Sequence, residues 1–192
     1  MGDRITEIRI EGLRTIERLE LKLEGLMVLI GENGAGKSTI LEACELLRRA
    51  ASERFLDELY EIHRGRQMLR RGAAHLRLGV TVADTLDYSL AIDMNSDEIV
   101  EESLIVREPP TPVVVFRRRG PATAEVFDGR QLETRSVDPR RHLLVHTGGM
   151  FTPHPSIPRV RAALAAIELH LPFEVLPSWA AQAQRRETAT RT

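Results

Sequence analysis

Apolar and polar residues alternate in several segments of the first 145 positions, and this period of two predicts strands that each bury one face. Residues 4–10 and 16–23 are the first two such segments; in the second, Leu19, Leu21 and Leu23 alternate with charged residues. The later segments are 76–82, 88–94, 99–107, 113–119, 122–127 and 130–134, and 142–145 is a further candidate strand. Because Asp128-Gly129 is a strong hairpin signal, the pattern predicts an antiparallel β meander over residues 75–145.

Other stretches repeat with the period of a helix. The first helix is predicted after residue 39 from Ile40, Leu41, Cys44, Leu47 and Ala51. A second is predicted from Phe55, Leu59 and Ile62, with Ser52 as a candidate cap. A third is predicted over 159–167 with Ser156 as its cap, followed by an extended segment over 168–175 and a polar tail over 180–192.

The segment between the first strand pair and the first helix combines an apolar run with a glycine-rich loop. Residues 26–30 are five consecutive apolar residues, as expected of a strand buried on both faces. The loop reads Gly31, Glu32, Asn33, Gly34, Ala35, Gly36, Lys37, Ser38 and Thr39, and it fits the pattern G-x-x-x-x-G-K-[ST] at every defined position. A chance match is expected in roughly one chain in a hundred of this length.

The residue types of this loop are those that a nucleotide phosphate site requires. Glycines let the backbone curl so that successive N–H groups point inward at phosphate oxygens. Lys37 would reach the β- and γ-phosphates, and the Ser38 hydroxyl would be a ligand of Mg²⁺. The following helix directs its positive N-terminus at the same anion. The loop therefore predicts binding of ATP with Mg²⁺.

Composition restricts the class of protein. The chain has 192 residues, a formal net charge of −1 and one cysteine, Cys44, so it has the length of one domain and no intrachain disulfide. The spacing of Cys44 places it on the buried face of the first helix. No apolar run reaches the roughly 18 residues of a membrane span, and no signal sequence opens the chain. We therefore expect a cytoplasmic protein with no membrane contact.

The opening sequence IRIEGLRTIERLELKLEGLMVLIGENGAGKSTILEACELL resembles the N-terminal lobe of ABC-type ATPase heads of the SMC, RecF and OLD kind, which include bacterial AAA-family predicted ATPases. The turn Gly12-Leu13-Arg14-Thr15 stands where these heads have a "GF[KR]S"-like turn, with Leu for Phe and Thr for Ser. The resemblance is specific over about the first fifty residues, and IELHLPFEVLPSW resembles their middle region. It implies that Arg14 lies near the nucleotide or a partner surface, the alternative being a solvated arginine in the turn, and that Gln67 is a candidate for the glutamine that senses the γ-phosphate.

Motif and resemblance together predict an α/β fold: a P-loop NTPase core, like an ABC-ATPase lobe, with an adjoining antiparallel β meander. The lobe would span residues 1–179, with the P-loop core at 1–72, the meander at 75–145 and a helix and strand at 156–176. In such heads two protomers sandwich the nucleotide. The implied partners are therefore a C-terminal ATPase lobe or a second head, with DNA as a candidate.

The parts that hydrolysis needs have no match in the sequence, so the catalytic residues stay unassigned. Asp93 follows Leu90-Ala91-Ile92, but Met94 comes next instead of Glu, and the segment alternates like a meander strand. No serine-glycine signature occurs. In family order both parts would follow residue 192, so we expect an inactive N-terminal lobe of a longer or split ATPase. The alternative is a stand-alone nucleotide-gated binding module or a P-loop kinase of a small substrate.

Two basic stretches and one histidine pair are open to more than one interpretation. The cations at 63–71 with His75, and Arg117 to Arg119, could contact a phosphate backbone or could be solvated charges at the ends of elements. His146 and His154 are weak evidence for a metal, because no Cys or acidic ligand is adjacent.

Overall fold

The computed structural model describes residues 3–63, 65–108, 110–146 and 154–169. Within them, eight strands form one antiparallel sheet in the order β2-β1-β3-β4-β5-β6-β7-β8. The strands are β1 (Ile5–Leu13), β2 (Ile16–Lys22), β3 (Leu76–Val82), β4 (Leu86–Asp93), β5 (Glu98–Val106), β6 (Val113–Arg119), β7 (Thr123–Phe127) and β8 (Leu132–Ser136). The helices are α1 (Lys37–Arg49), α2 (Phe55–His63), α3 (Leu143–His146) and α4 (Ser156–Ala165), with a 3₁₀ turn at Gly65–Met68.

The expected α/β P-loop core is wrong, because the described fold is mainly this antiparallel sheet with few helices. Residues 26–30, predicted to be a doubly buried strand, are an irregular segment with Leu26 93%, Val28 73% and Ile30 91% exposed. A strand buried on both faces must be paired within a sheet that has packed elements above and below it. Within the described ranges β1 already pairs with β2 and β3, and no strand pairs with the run.

The core lies between one face of the sheet and the helices. On β1, Ile8 and Ile10 are buried, and they are paired in register with Val80 and Leu78 of β3. Helix α1 contacts β1, β3 and α4. The helix residues buried in the same apolar cluster include Ala43, Leu46, Leu47, Val160 and Leu164. This packing fixes α1, and with it the loop that precedes α1, against β1 and β3.

Several local predictions agree with the structure and others do not. The alternating segments from residue 76 onward are strands β3 to β8, and β7 and β8 pair as the hairpin predicted at Asp128-Gly129. Within 142–145, a candidate strand, residues 143–145 instead belong to the short helix α3, because a short apolar run does not distinguish strand from helix. Ser156 is the first residue of α4 and does not cap it through its side chain. The predictions for residues 147–153 and 170–192 fall outside the described residues.

A buried polar cluster lies where the core face of the sheet meets α3. It consists of Tyr88, Glu102, Arg118 and His142, each at most 1% exposed. Glu102 accepts hydrogen bonds from the Tyr88 hydroxyl (3.2 Å) and from the backbone N–H groups of Leu143 (2.7 Å) and Leu144 (3.0 Å). One carboxylate therefore joins β4 to the first turn of α3.

The Arg118 guanidinium connects the start of β5 to the segment that precedes α3. It donates to the backbone carbonyls of Ile99 (3.2 Å), Pro139 (3.3 Å) and Arg141 (2.6 Å). Arg118 belongs to the 117–119 stretch considered above as a solvated tip or a nucleic-acid contact. Because its side chain is buried, it can fill neither role.

Candidate phosphate-binding site

The glycine-rich loop leads directly from the exposed run 26–30 into α1. Gly34 and Gly36 have φ angles of +86° and +95°, in the left-handed region that favours glycine. The loop is closed by an Ala35 N–H that donates to the Glu32 carbonyl (3.2 Å), and the Ile40 N–H donates to the Gly36 carbonyl (3.1 Å). Residues 31–35 and Ser38 are exposed.

Helix α1 begins without a side-chain cap. Its N-cap is Gly36, which has no side chain to accept a hydrogen bond from the first turn, and no acidic residue lies in that turn. The first N–H groups of a helix have no intrahelical acceptor, and the helix dipole adds partial positive charge there. An anion is the ligand that satisfies both features.

Lys37 is held at the mouth of the loop. Its Nζ donates to the carbonyl oxygens of Gly31 (2.6 Å) and Glu32 (2.7 Å). Because Lys37 is the first residue of α1, its side chain connects the start of the helix to the start of the loop. The side chain has no carboxylate partner among these contacts. A phosphate group beside the loop could therefore take a charge-assisted hydrogen bond without displacing an ion pair.

The turn between β1 and β2 supports the loop from behind. A Cβ atom at Gly36 would lie 3.2 Å from Thr15 Oγ1 and 3.5 Å from Ile16 Cγ1, and Gly36 is buried. At Gly34 the same atom would meet nothing within 4 Å. Gly36 is thus favoured by its conformation, and a Cβ atom there would also be in tight contact with Thr15, which the sequence motif does not include.

Arg14 lies in that turn but does not extend into the loop. It has a φ of +49°, and its guanidinium makes a two-point ion pair with Glu42 of α1, with Nη2 2.7 Å from Oε1. The Glu42 carboxylate raises the pKa of Arg14. In this geometry Arg14 clamps the β1–β2 turn to the helix that follows the loop. Sequence reasoning missed the role of Glu42.

Gln67 is brought into the same neighbourhood through the backbone. The Arg14 N–H donates to the Met68 carbonyl (2.7 Å), and the Arg70 N–H donates to the Gly12 carbonyl (2.8 Å). The exposed Gln67 therefore sits one residue from a segment that pairs with the β1–β2 turn. The structure thus places Gln67 next to residues that contact the β1–β2 turn.

Ser38, the predicted Mg²⁺ ligand, is exposed at the start of α1. Thr39 is buried, and in the ranges that the structure describes no three His, Cys, Asp or Glu side chains are grouped as a metal site. Asp93 lies at the end of β4, where its Oδ1 accepts the Asn95 N–H (2.8 Å) in the turn to β5. That contact accounts for Asp93 as a turn residue.

The basic stretches are mostly engaged. Arg66 donates to the Met94 and Asn95 carbonyls, Arg70 donates to Thr15 O, and Arg117 pairs with Glu125. Arg71 and Arg119 are exposed. Arg64 lies outside the described residues. Among the described side chains of the two stretches, Arg71 and Arg119 therefore remain as exposed candidates for a phosphate backbone.

The family model that matches this chain covers the part of the chain that contains this site. Residues 4–92 match a family model described as "Protein of unknown function (DUF2813)". The DNA replication and repair protein RecF of Bacillus mycoides (strain KBAB4) is 36% identical over 86 residues, which are 40% of this chain and 23% of RecF. No solved structure matches the chain significantly. None of the helices in the described ranges is long and apolar enough to cross a membrane. The chain thus has a partial, distant similarity to RecF and spans under a quarter of its length.

Proposed function

We propose that residues 31–39 bind ATP with Mg²⁺, and that the chain is the ATP-binding part of a RecF-like ATPase that acts in DNA repair, DNA maintenance or phage defence. The observation that carries the proposal is the uncapped start of α1 directly behind a loop with two left-handed glycines and Lys37 at its mouth. The DNA role rests on the similarity to RecF, whose name gives DNA replication and repair.

Each loop residue has a distinct part in this proposal. The backbone N–H groups at the start of α1 donate to phosphate oxygens, and Lys37 exchanges its carbonyl contacts for the β- and γ-phosphates. Ser38, which is exposed, offers a hydroxyl to Mg²⁺. When bound, Mg²⁺ neutralises phosphate charge. The Arg14–Glu42 ion pair holds the β1–β2 turn behind Gly36, so the loop keeps its curl.

Hydrolysis needs groups that this loop does not bring. Stabilising the charge of the transition state requires a further carboxylate that binds Mg²⁺, and attack on the phosphate requires a residue that orients water. We therefore propose that these come from a C-terminal ATPase lobe or a second head that closes over the nucleotide, and that the 192-residue chain alone is inactive.

Thermal melting and phosphate release test this proposal together. Millimolar Mg-ATP is expected to raise the melting temperature, because a ligand that binds only the folded state adds RT ln(1 + [L]/Kd). Phosphate release is expected to equal the background of the Lys37→Ala variant. An unchanged melt would count against the site. Multiple turnover that disappears in Lys37→Ala would show that this chain does contain the missing catalytic groups.

A further inference from the structure

An open apolar cleft lies beside the phosphate loop and has no role in the proposed function. Its volume is about 450 Å³, and its walls come from the exposed run, the sheet, α1 and α4. The wall residues that matter below are Met27, Leu29, Cys44 and Leu169. Met27 is 40% exposed and Leu29 is 41% exposed, so the inner side of the run is only partly covered.

The described chain ends in the wall of this cleft. Leu169 is its last described residue and lines the same cavity as Met27 and Leu29. The residues that follow are His170-Leu171-Pro172-Phe173-Glu174-Val175-Leu176. In an extended segment, Leu171, Phe173 and Val175 share one face, because side chains alternate with a period of two.

We propose that residues 170–176 of this chain occupy the cleft, with Leu171, Phe173 and Val175 packed against Met27, Leu29 and Cys44. The sizes agree: an apolar cavity of about 150 Å³ holds one benzene ring, so a volume three times larger accommodates three apolar side chains. Reach also favours this occupant. Leu171 follows Leu169 by two residues, at about 3.3 Å per residue.

The covalent connection favours this segment over a second copy. A segment tethered next to its site has an effective concentration in the millimolar range, well above that of another molecule in a dilute sample. Filling the cleft would also support the run 26–30, which leads into the phosphate loop at Gly31. The docking itself does not depend on nucleotide binding, so it can be tested independently of the proposed function.

Cys44 provides a probe, because it is the only cysteine of the chain and it lines the cleft. Alkylation of Cys44 is compared in the full chain, in Phe173→Asp and in the control Gln184→Asp, at one fixed pH because burial raises the pKa of this thiol. We expect Phe173→Asp to react about tenfold faster or more, and Gln184→Asp to react like the unmodified chain. Equal rates in all three proteins would overturn the proposal.

A disulfide trap covers the case in which Phe173→Asp alters the fold as a whole. Phe173→Cys is oxidised with diamide at low micromolar concentration beside Gln184→Cys. In the first protein we expect an intramolecular disulfide between Cys44 and the introduced cysteine, found by peptide mass spectrometry in the monomer, and in the second we expect none. No such disulfide in the monomer, or a disulfide-linked dimer in its place, would overturn the proposal; the dimer would identify a second copy as the occupant.

Discussion

Replacing His142 with leucine is predicted to reduce the loss of stability between pH 8 and pH 5. The imidazole is 1% exposed, its Nδ1 lies 3.8 Å from a Glu102 carboxylate oxygen, and neither ring nitrogen has a hydrogen-bond partner within the described ranges. Burial, together with the charges of Arg118 and His146, lowers the pKa of His142 to about 3. The residue therefore remains neutral in the folded protein at pH 5.

The magnitude follows from proton linkage. Below pH 6.5 the unfolded chain binds a proton at this histidine that the folded state does not bind. The stability that depends on neutral His142 is thus present above pH 6.5 and is lost as the pH falls toward 3. Between pH 8 and pH 5 the loss is about 2 kcal/mol in the free energy of unfolding. Burial raises the pKa of Glu102, which opposes this trend, but both proteins contain that residue.

Leucine removes the titration without removing a known hydrogen bond. His142 packs edge-on against Phe55 at 4.7 Å between ring centroids, and an apolar side chain of similar size keeps most of that contact. At pH 8 the two proteins should differ by less than about 1.5 kcal/mol. This comparison serves as the internal control.

The assay is urea unfolding at pH 8, 6.5 and 5, followed by far-ultraviolet circular dichroism. The difference in unfolding free energy, His142→Leu minus unmodified, should rise by about 2 kcal/mol from pH 8 to pH 5. Parallel pH dependences would refute the reasoning, because they would mean that His142 has the same pKa in the folded and unfolded states.

Three further predictions concern the loop, the buried cluster and DNA. Gly36→Ala should destabilise the fold more than Gly34→Ala in urea unfolding. Alanine in the left-handed region costs about 1–2 kcal/mol at either position, but only at Gly36 would its Cβ atom also contact the β1–β2 turn. Equal effects would show that contact with the turn does not contribute. Glu102→Ala should lose about 3 kcal/mol or more in the same assay, since three buried donors lose their acceptor, whereas the neighbouring half-exposed Glu101→Ala should lose less than about 1 kcal/mol. DNA binding by this chain should be weak and should fall about tenfold between 50 and 200 mM salt for two phosphate contacts, less steeply in Arg71→Ala; tight binding insensitive to salt would contradict it.

Local sequence patterns predicted those strands whose own residues alternate between apolar and polar. Strands β3 and β4 show a period of two over seven or eight residues, and one face of each is held by the helices. The run 26–30 was misjudged because continuous apolar character reports a preference for burial and not the presence of a neighbour. Residues 142–145 were misjudged because four residues are too few to distinguish the two periods.

Only the contiguous part of the candidate site could be predicted from the sequence. The loop is a contiguous motif, so spacing alone places Lys37 and Ser38. Its support is not contiguous: Glu42 meets Arg14 across 28 positions. The buried cluster was missed because Glu102 and Arg118 occupy charged positions that, in a strand, look the same as solvated ones until the facing helix is known.

Calorimetric titration of Mg-ATP tests the central claim most directly, because the account depends on residues 31–39 binding phosphate. The chain contains two lysines, so Lys22→Ala, at an exposed position at the end of β2, is a matched control for Lys37→Ala. Loss of the charge-assisted contact should weaken binding by about 1.5–3 kcal/mol in Lys37→Ala, roughly ten- to 150-fold, and Lys22→Ala should bind like the unmodified chain. Equal affinities for all three proteins, or no binding by the unmodified chain at millimolar Mg-ATP, would contradict the account.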